Sequence, residues 1–156
     1  GLDAFYTGTL QSADAVGALL CAMVLSVLAR PRWYGWIFLS ATLALLTAVI
    51  LFALSRDYLL SLLCLGLGGI GMAGFAAMQS TIAFATAPPE MRSGAMSLVA
   101  LCIGMAPVGI IHLGLMAEWL GAPMALVVMG AEGMLALLAA TLIWPELRAG
   151  LSPQPT

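Results

Sequence analysis

Five apolar runs, each about as long as a bilayer is thick, constrain this chain more than any other feature. They cover 9–29, 34–54, 59–86, 94–118 and 122–144. Each supplies the roughly 20 mostly apolar residues that an α-helix needs to cross a ~30 Å hydrocarbon core. Charged residues make up 8% of the 156 positions, and lysine is missing altogether. Soluble domains carry about a quarter charged residues, so a water-facing surface cannot be assembled from this material. The reading is an all-α fold, a polytopic membrane helix bundle of five transmembrane helices over 1–145, with the bilayer as solvent for most side chains. The remaining segment, 146–156, is polar and proline-rich and is expected to be a disordered cytoplasmic tail.

The runs are separated by short clusters of proline, glycine and charge, "ARPRWYG", "SRDY", "APPEMRSG" and "EWLGAP". Proline cannot donate the helical backbone bond and glycine weakens the helix, so helices stop at such clusters. Connections this short predict antiparallel hairpins between sequential spans. Arginine placement then orients the bundle, because short loops rich in basic residues stay cytoplasmic. Arg30, Arg32, Arg92 and Arg148 fall on one side and Arg56 on the other, which puts the C-terminus in the cytoplasm and the N-terminus outside. Trp33, Tyr34, Trp36, Trp119 and Trp144 sit at span ends, where amphipathic rings favour the interface. The opening "GLDAFYTG" has neither an initiator methionine nor a signal-peptide layout, and the expectation is that the chain starts within a longer protein.

Several function classes find no support. A net charge of −2 with five basic residues offers no basic patch for nucleic acid. Cys21, Cys64 and Cys102 lie singly in apolar runs and read as small packing residues. The one histidine has no G-x-S-x-G elbow to serve, and no His, Cys or carboxylate cluster has metal or haem spacing. No enzyme activity and no cofactor are expected.

Ionisable or strongly polar residues inside spans are functional-site candidates by default, since each costs at least ~2.5 kcal/mol at the bilayer centre. At 1.5 Å per residue, Asp14 lies roughly 8 Å into the first span, Gln79 roughly 10 Å from the end of the third and Glu132 roughly 15 Å into the fifth. His112 falls in the outer third of the fourth. Glu132 reads as a proton-exchanging carboxylate or as a protonated structural residue between Gly130 and Gly133. Asp14 reads as a transport residue or as a solvated or helix-capping one. For His112 the alternatives are a proton relay, since imidazole changes charge near neutral pH, and a satisfied interhelical hydrogen bond. Gln79 is similarly open, and Glu118 beside Trp119 is interfacial.

Small residues recur at helical spacing: Ala15, Ala18, Ala22 and Ser26 in the first span, Gly66, Gly69, Ala73, Ala76 and Ser80 in the third, and Gly130, Gly133 and Ala140 in the fifth. In lipid, helices associate by close backbone approach along such stripes. The third span is therefore expected to lie against neighbours on more than one side, although its glycines could instead permit bending.

The stretch "PPEMRSGAMSLVALCIGMAPVGIIHLGLMAEWLG" resembles the tenth-to-eleventh helix region of major facilitator superfamily transporters, in the bacterial branch that contains the enterobactin exporter. That branch has a loop of the type P-x-x-x-R-G-R, then P-x-G, then G-x-x-A and a terminal glycine. Pro88 to Arg92 match the loop, Pro107 and Gly109 the P-x-G, Gly114 and Ala117 the next pair, and Gly121 the last. The opening "GLDAFYTGTLQSADAVGALL" resembles the approach to the eighth helix. Ser93 departs from the loop pattern, and "LARPRWYG" lacks the aspartate of the superfamily's inter-helix signature. The resemblance implies that the five spans are helices eight to twelve, an incomplete C-terminal half whose partners are the absent N-terminal helices and a small-molecule substrate. It further implies efflux by alternating access in a bacterial inner membrane, proton coupling, and gating by Glu90 and Arg92 in the cytoplasmic loop. Helices eight, ten and eleven of that fold border the cavity and helix twelve is peripheral, which favours Asp14, Gln79 and His112 over Glu132. Gly66, Gly69, Pro107, Gly109 and Gly114 would serve packing and bending. The alternative is a self-contained five-span protein that acts as a binding or assembly partner through its small-residue seams.

Overall fold

The computed structural model describes residues 4–145, so the 146–156 tail and Arg148 lie outside the described residues. Helices α1 (Ala4–Leu28), α2 (Tyr34–Leu54), α3 (Tyr58–Thr86), α4 (Arg92–Gly104), α5 (Ala106–Leu120) and α6 (Ala122–Ile143) carry nearly all of them, and no strand occurs among the described residues. Five helical segments are long and apolar enough to cross a membrane, the fourth of them running Pro89–Leu120 and combining α4 with α5. The chain is thus a helical membrane protein. Single 3-10 turns, Pro31–Trp33 and Pro89–Met91, lead into α2 and α4, each opened by the proline whose missing N–H is harmless at a helix start.

The fourth span is not the continuous helix that its apolar run suggests. It is interrupted at Met105, whose backbone (φ −79°, ψ −2°) stays right-handed but lies toward the 3-10 end of that region. Pro107 is the cause. It has no N–H to give the Ile103 carbonyl and its ring crowds that oxygen. The ladder tightens around the gap, with the Met105 N–H reaching the Leu101 and Cys102 carbonyls and the Val108 N–H donating to the Met105 oxygen at 3.0 Å.

Packing follows chain order except at α1, and glycine sets its closest approaches. The sequential pairs α2–α3 and α5–α6 adjoin as expected and α3 touches α4, but α1 lays its main contact against α3, not α2, and α6 also packs on α2. The central position of α3 follows from its composition. A Cβ at Gly69 would collide with the carbonyl oxygen of Asp14 on α1, while one at Gly71 would stand 2.6 Å from the Leu45 nitrogen and 2.7 Å from the Ala41 oxygen of α2. Both faces of α3 thus bring backbone against backbone. Phe38 and Phe75, with ring centroids 5.4 Å apart, fill the wider part of the α2–α3 seam. Gly130 and Gly133 of α6 instead make room for the side chains of Ile50 and Leu46 of α2. On α1 the contact runs through Gly17, which is buried, whereas Ala15, Ala22 and Ser26 of the expected stripe are exposed. Cys64 is enclosed and Cys21 half-buried, but Cys102 is exposed on α4 and does not pack as its apolar surroundings suggest.

The connecting loops sort to two ends. Pro31 and Tyr34 line one cavity with Phe84, Ala85 and Met96, so the α1–α2 and α3–α4 connections share an end and bring Arg30, Arg32 and Arg92 to it. At the opposite end the hydroxyls of Thr9 and Tyr58 hydrogen-bond, close to Arg56 and Asp57. Large apolar side chains point outward along every helix, Val27 at 83% exposure among them, while the enclosed apolar residues are Ala48, Cys64, Met78 and Ala125. Such a surface suits lipid or further protein, not water.

Candidate functional site

The α5–α6 hairpin is closed by Gly121, whose φ of +82° is the one left-handed backbone among the described residues. A side chain is disfavoured in that conformation, so glycine is required for so short a reversal. Nine residues before the turn stands His112, and eleven after it Glu132. At 1.5 Å per residue they lie about 13 and 17 Å from the turn, within the apolar length of both helices. The two helices are antiparallel neighbours, and these side chains meet. His112 Nε2 and Glu132 Oε2 are 3.3 Å apart.

This contact joins two helices by a histidine–carboxylate pair, and it is the one ion pair found among the described residues. An imidazole N–H donates to the carboxylate when the ring is neutral, and protonation of the ring adds a full charge attraction. The distance slightly exceeds the usual N–H···O range of about 2.7–3.2 Å. Both side chains are half exposed, at 49% and 50%. In the interior of a membrane, charged groups face a bundle interior or a water-filled cavity, not acyl chains. By that rule the face of the hairpin that carries the pair suits further protein or a water-filled cavity.

The other expected site residues fall elsewhere. Asp14 is the eleventh residue of α1, too far from its start to cap it. Its backbone oxygen and its Oδ1 border the gap left by Gly69, and its side chain is exposed. Gln79 is half-buried near the end of α3, next to the enclosed Met78. In packing order α2 and α6 stand between these two residues and α5, so Asp14 and Gln79 do not join the histidine–carboxylate pair. Gly109 and Gly114 meet open space, as does Gly104, and neither α4 nor α5 has a buried residue.

In the α3–α4 connection Glu90 is exposed in the 3-10 turn and makes no ion pair with Arg92. The Arg92 guanidinium instead lies over the Phe84 ring, 4.7 Å from its centroid. Its Nε is shielded from solvent without a hydrogen-bond partner, a cost that the cation–π contact partly offsets. Among the described residues no three His, Cys, Asp or Glu side chains converge as a metal site would need.

No protein-family model, curated protein or solved structure matches this chain. The functional reading therefore rests on the residues themselves.

Reading the sequence residue by residue finds His112 and Glu132 but not their meeting. The signal that would have found it is arithmetic. In a tight antiparallel hairpin, residues at nearly equal distances on either side of the turn lie at the same depth, and 112 and 132 are almost equidistant from Gly121.

Proposed function

We propose that this chain is the C-terminal portion of a major facilitator type transporter in a bacterial inner membrane, exporting a small organic molecule by alternating access coupled to protons. The observation that carries the reading is the His112–Glu132 pair, two exchangeable groups across a helix–helix contact inside the apolar spans. Substrate and coupling-ion sites in secondary transporters lie near the bilayer midplane and use interrupted helices. The break at Met105 interrupts the same span, seven residues before His112. The loop and glycine pattern from Pro88 to Gly121 adds the resemblance to that superfamily's tenth and eleventh helices, and the arginine distribution supports a cytoplasmic C-terminus. On this reading Glu132 would share the coupling role with His112, although the resembled fold sets its helix at the periphery.

The test is substrate-triggered collapse of a proton gradient in everted vesicles that contain the full-length protein, over a panel of small organic molecules. Wild type responds to at least one compound, and H112Q and E132Q lose the response while still reaching the membrane. A coupled response that survives both substitutions would refute the assignment.

A second reading, an assembly partner for other membrane helices, is favoured by the uncovered fourth span, whose glycines at 104, 109 and 114 meet open space. Stoichiometric co-purification with a separate membrane protein, and no gradient response to any compound, would favour it over transport.

A further inference from the structure

A second concavity lies between the end of α1 and the start of α2, at the end of the bundle that gathers Arg30, Arg32 and Arg92. Its volume is about 440 Å³, and its rim carries Arg30, Arg32 and Trp33 while Val24, Val27 and Ile37 continue its wall down into the span. The rim is strongly cationic and has no counter-charge of its own. No aspartate or glutamate occurs between residues 15 and 56, and neither arginine has an ion-pair partner among the described residues. Arg32 lies over the Trp33 ring, 5.3 Å from its centroid, an indole placed where amphipathic rings favour the membrane interface. Pro31, at the first position of the 3-10 turn, holds the two arginines on a short rigid segment.

We propose that this concavity is a binding site for an anionic phospholipid, with the headgroup phosphate between Arg30 and Arg32 and an acyl chain along Val24, Val27 and Ile37. Guanidinium groups bind phosphate through paired, charge-assisted hydrogen bonds. Basic pockets between membrane helices suit anionic headgroups in general. The apolar wall distinguishes a lipid from a free anion, because phosphate alone has no use for it. The net charge distinguishes among lipids, since a choline or ethanolamine group beside two unpaired guanidinium groups is repelled. The site does not depend on the transporter reading.

The experiment is native mass spectrometry of the full chain in detergent, titrated with phosphatidylglycerol or phosphatidylcholine at equal concentrations, with a third arm of sodium phosphate added to the phosphatidylglycerol complex. Phosphatidylglycerol is expected to be retained in preference to phosphatidylcholine and to resist displacement by phosphate. Each of R30Q and R32Q weakens it about fivefold and the double variant about 30-fold, from the roughly constant contribution of each arginine near a membrane surface. R56Q, at the opposite end, binds as wild type does. Equal retention of the two lipids, or unchanged phosphatidylglycerol affinity in both single variants, overturns the proposal; the single variants decide it should the double variant fail to fold. Displacement by phosphate overturns the lipid assignment in favour of a free-anion site.

Discussion

Replacing Gly71 with alanine tests whether backbone contact holds the bundle together. The added Cβ would stand 2.6 Å from the Leu45 nitrogen, 2.7 Å from the Ala41 oxygen and 2.9 Å from the Leu45 Cα. All three atoms belong to the α2 backbone, so no side-chain rotation relieves the overlap and the helices must part. Restoring ordinary contact at about 3.4 Å requires a separation of roughly 0.8 Å, and a gap of 0.5–1 Å forfeits a quarter to a half of each neighbouring contact's attraction. Overpacking of this kind costs about 1–3 kcal/mol. Helix propensity opposes it, since alanine is better than glycine by up to ~1 kcal/mol. The control is Gly114→Ala on α5, where the same propensity gain applies and nothing lies within 4 Å. The assay is reversible unfolding of detergent-solubilised protein, read by circular dichroism. G71A is expected to be less stable than wild type by up to about 2 kcal/mol and less stable than G114A by about 1–3 kcal/mol, since both gain the same propensity, and G114A to equal or exceed wild type. A G71A protein as stable as G114A would refute the backbone-contact account of the α2–α3 seam.

Further outcomes follow from other parts of the fold. A double-mutant cycle with H112A and E132A is expected to give a coupling energy of about 0.6 kcal/mol, and at most ~1.7, as for other interhelical polar contacts in membranes; additive unfolding energies would show the pair to be energetically idle. Gly121→Ala forces a side chain into backbone (φ 82°, ψ 151°) that essentially only glycine adopts and should cost about 1–3 kcal/mol, measured in the same unfolding assay. Pro107→Ala returns an N–H to the Ile103 carbonyl, so amide hydrogen exchange should slow at the flanking residues 108 and 109, whose amides exist in both proteins; unchanged exchange would mean that Met105, not Pro107, sets the break. Phe84→Leu removes the ring beneath Arg92 and should cost about 0.5–1 kcal/mol, while R92K at the same place retains the charge and loses less.

The helical class and the number of spans were legible because the bilayer's demand is compositional, and any window of apolar residues of sufficient length reveals it. The neighbours of each helix were not. Small residues on α1 point in several directions, and Ala15, Ala22 and Ser26 look as suitable for a seam as Gly17, which makes the contact. Rotation about the helix axis decides among them, and that depends on the glycines of α3, which meet α1 on one side and α2 on the other. The candidate site was legible as single residues. His112 and Glu132 each stand out as polar atoms in an apolar run, but their meeting depends on which helices adjoin and on the tightness of the Gly121 turn. The interruption at Met105 was half legible. Pro107 is plain in the sequence, yet proline in a membrane helix is often absorbed by neighbouring groups, and here α4 and α5 have no enclosing neighbours to do so.

The Gly121 turn makes the length of the segment between 112 and 132 a constraint separate from its composition. Adding or removing one residue anywhere in 113–131 would rotate one partner by about 100° and shift it by about 1.5 Å relative to the other. That parts the imidazole from the carboxylate with both residues still present. Substitutions among the apolar positions of this stretch should be absorbed readily, whereas insertions and deletions should be absorbed poorly. Variation in this region of the chain is thus expected to change letters and to preserve spacing.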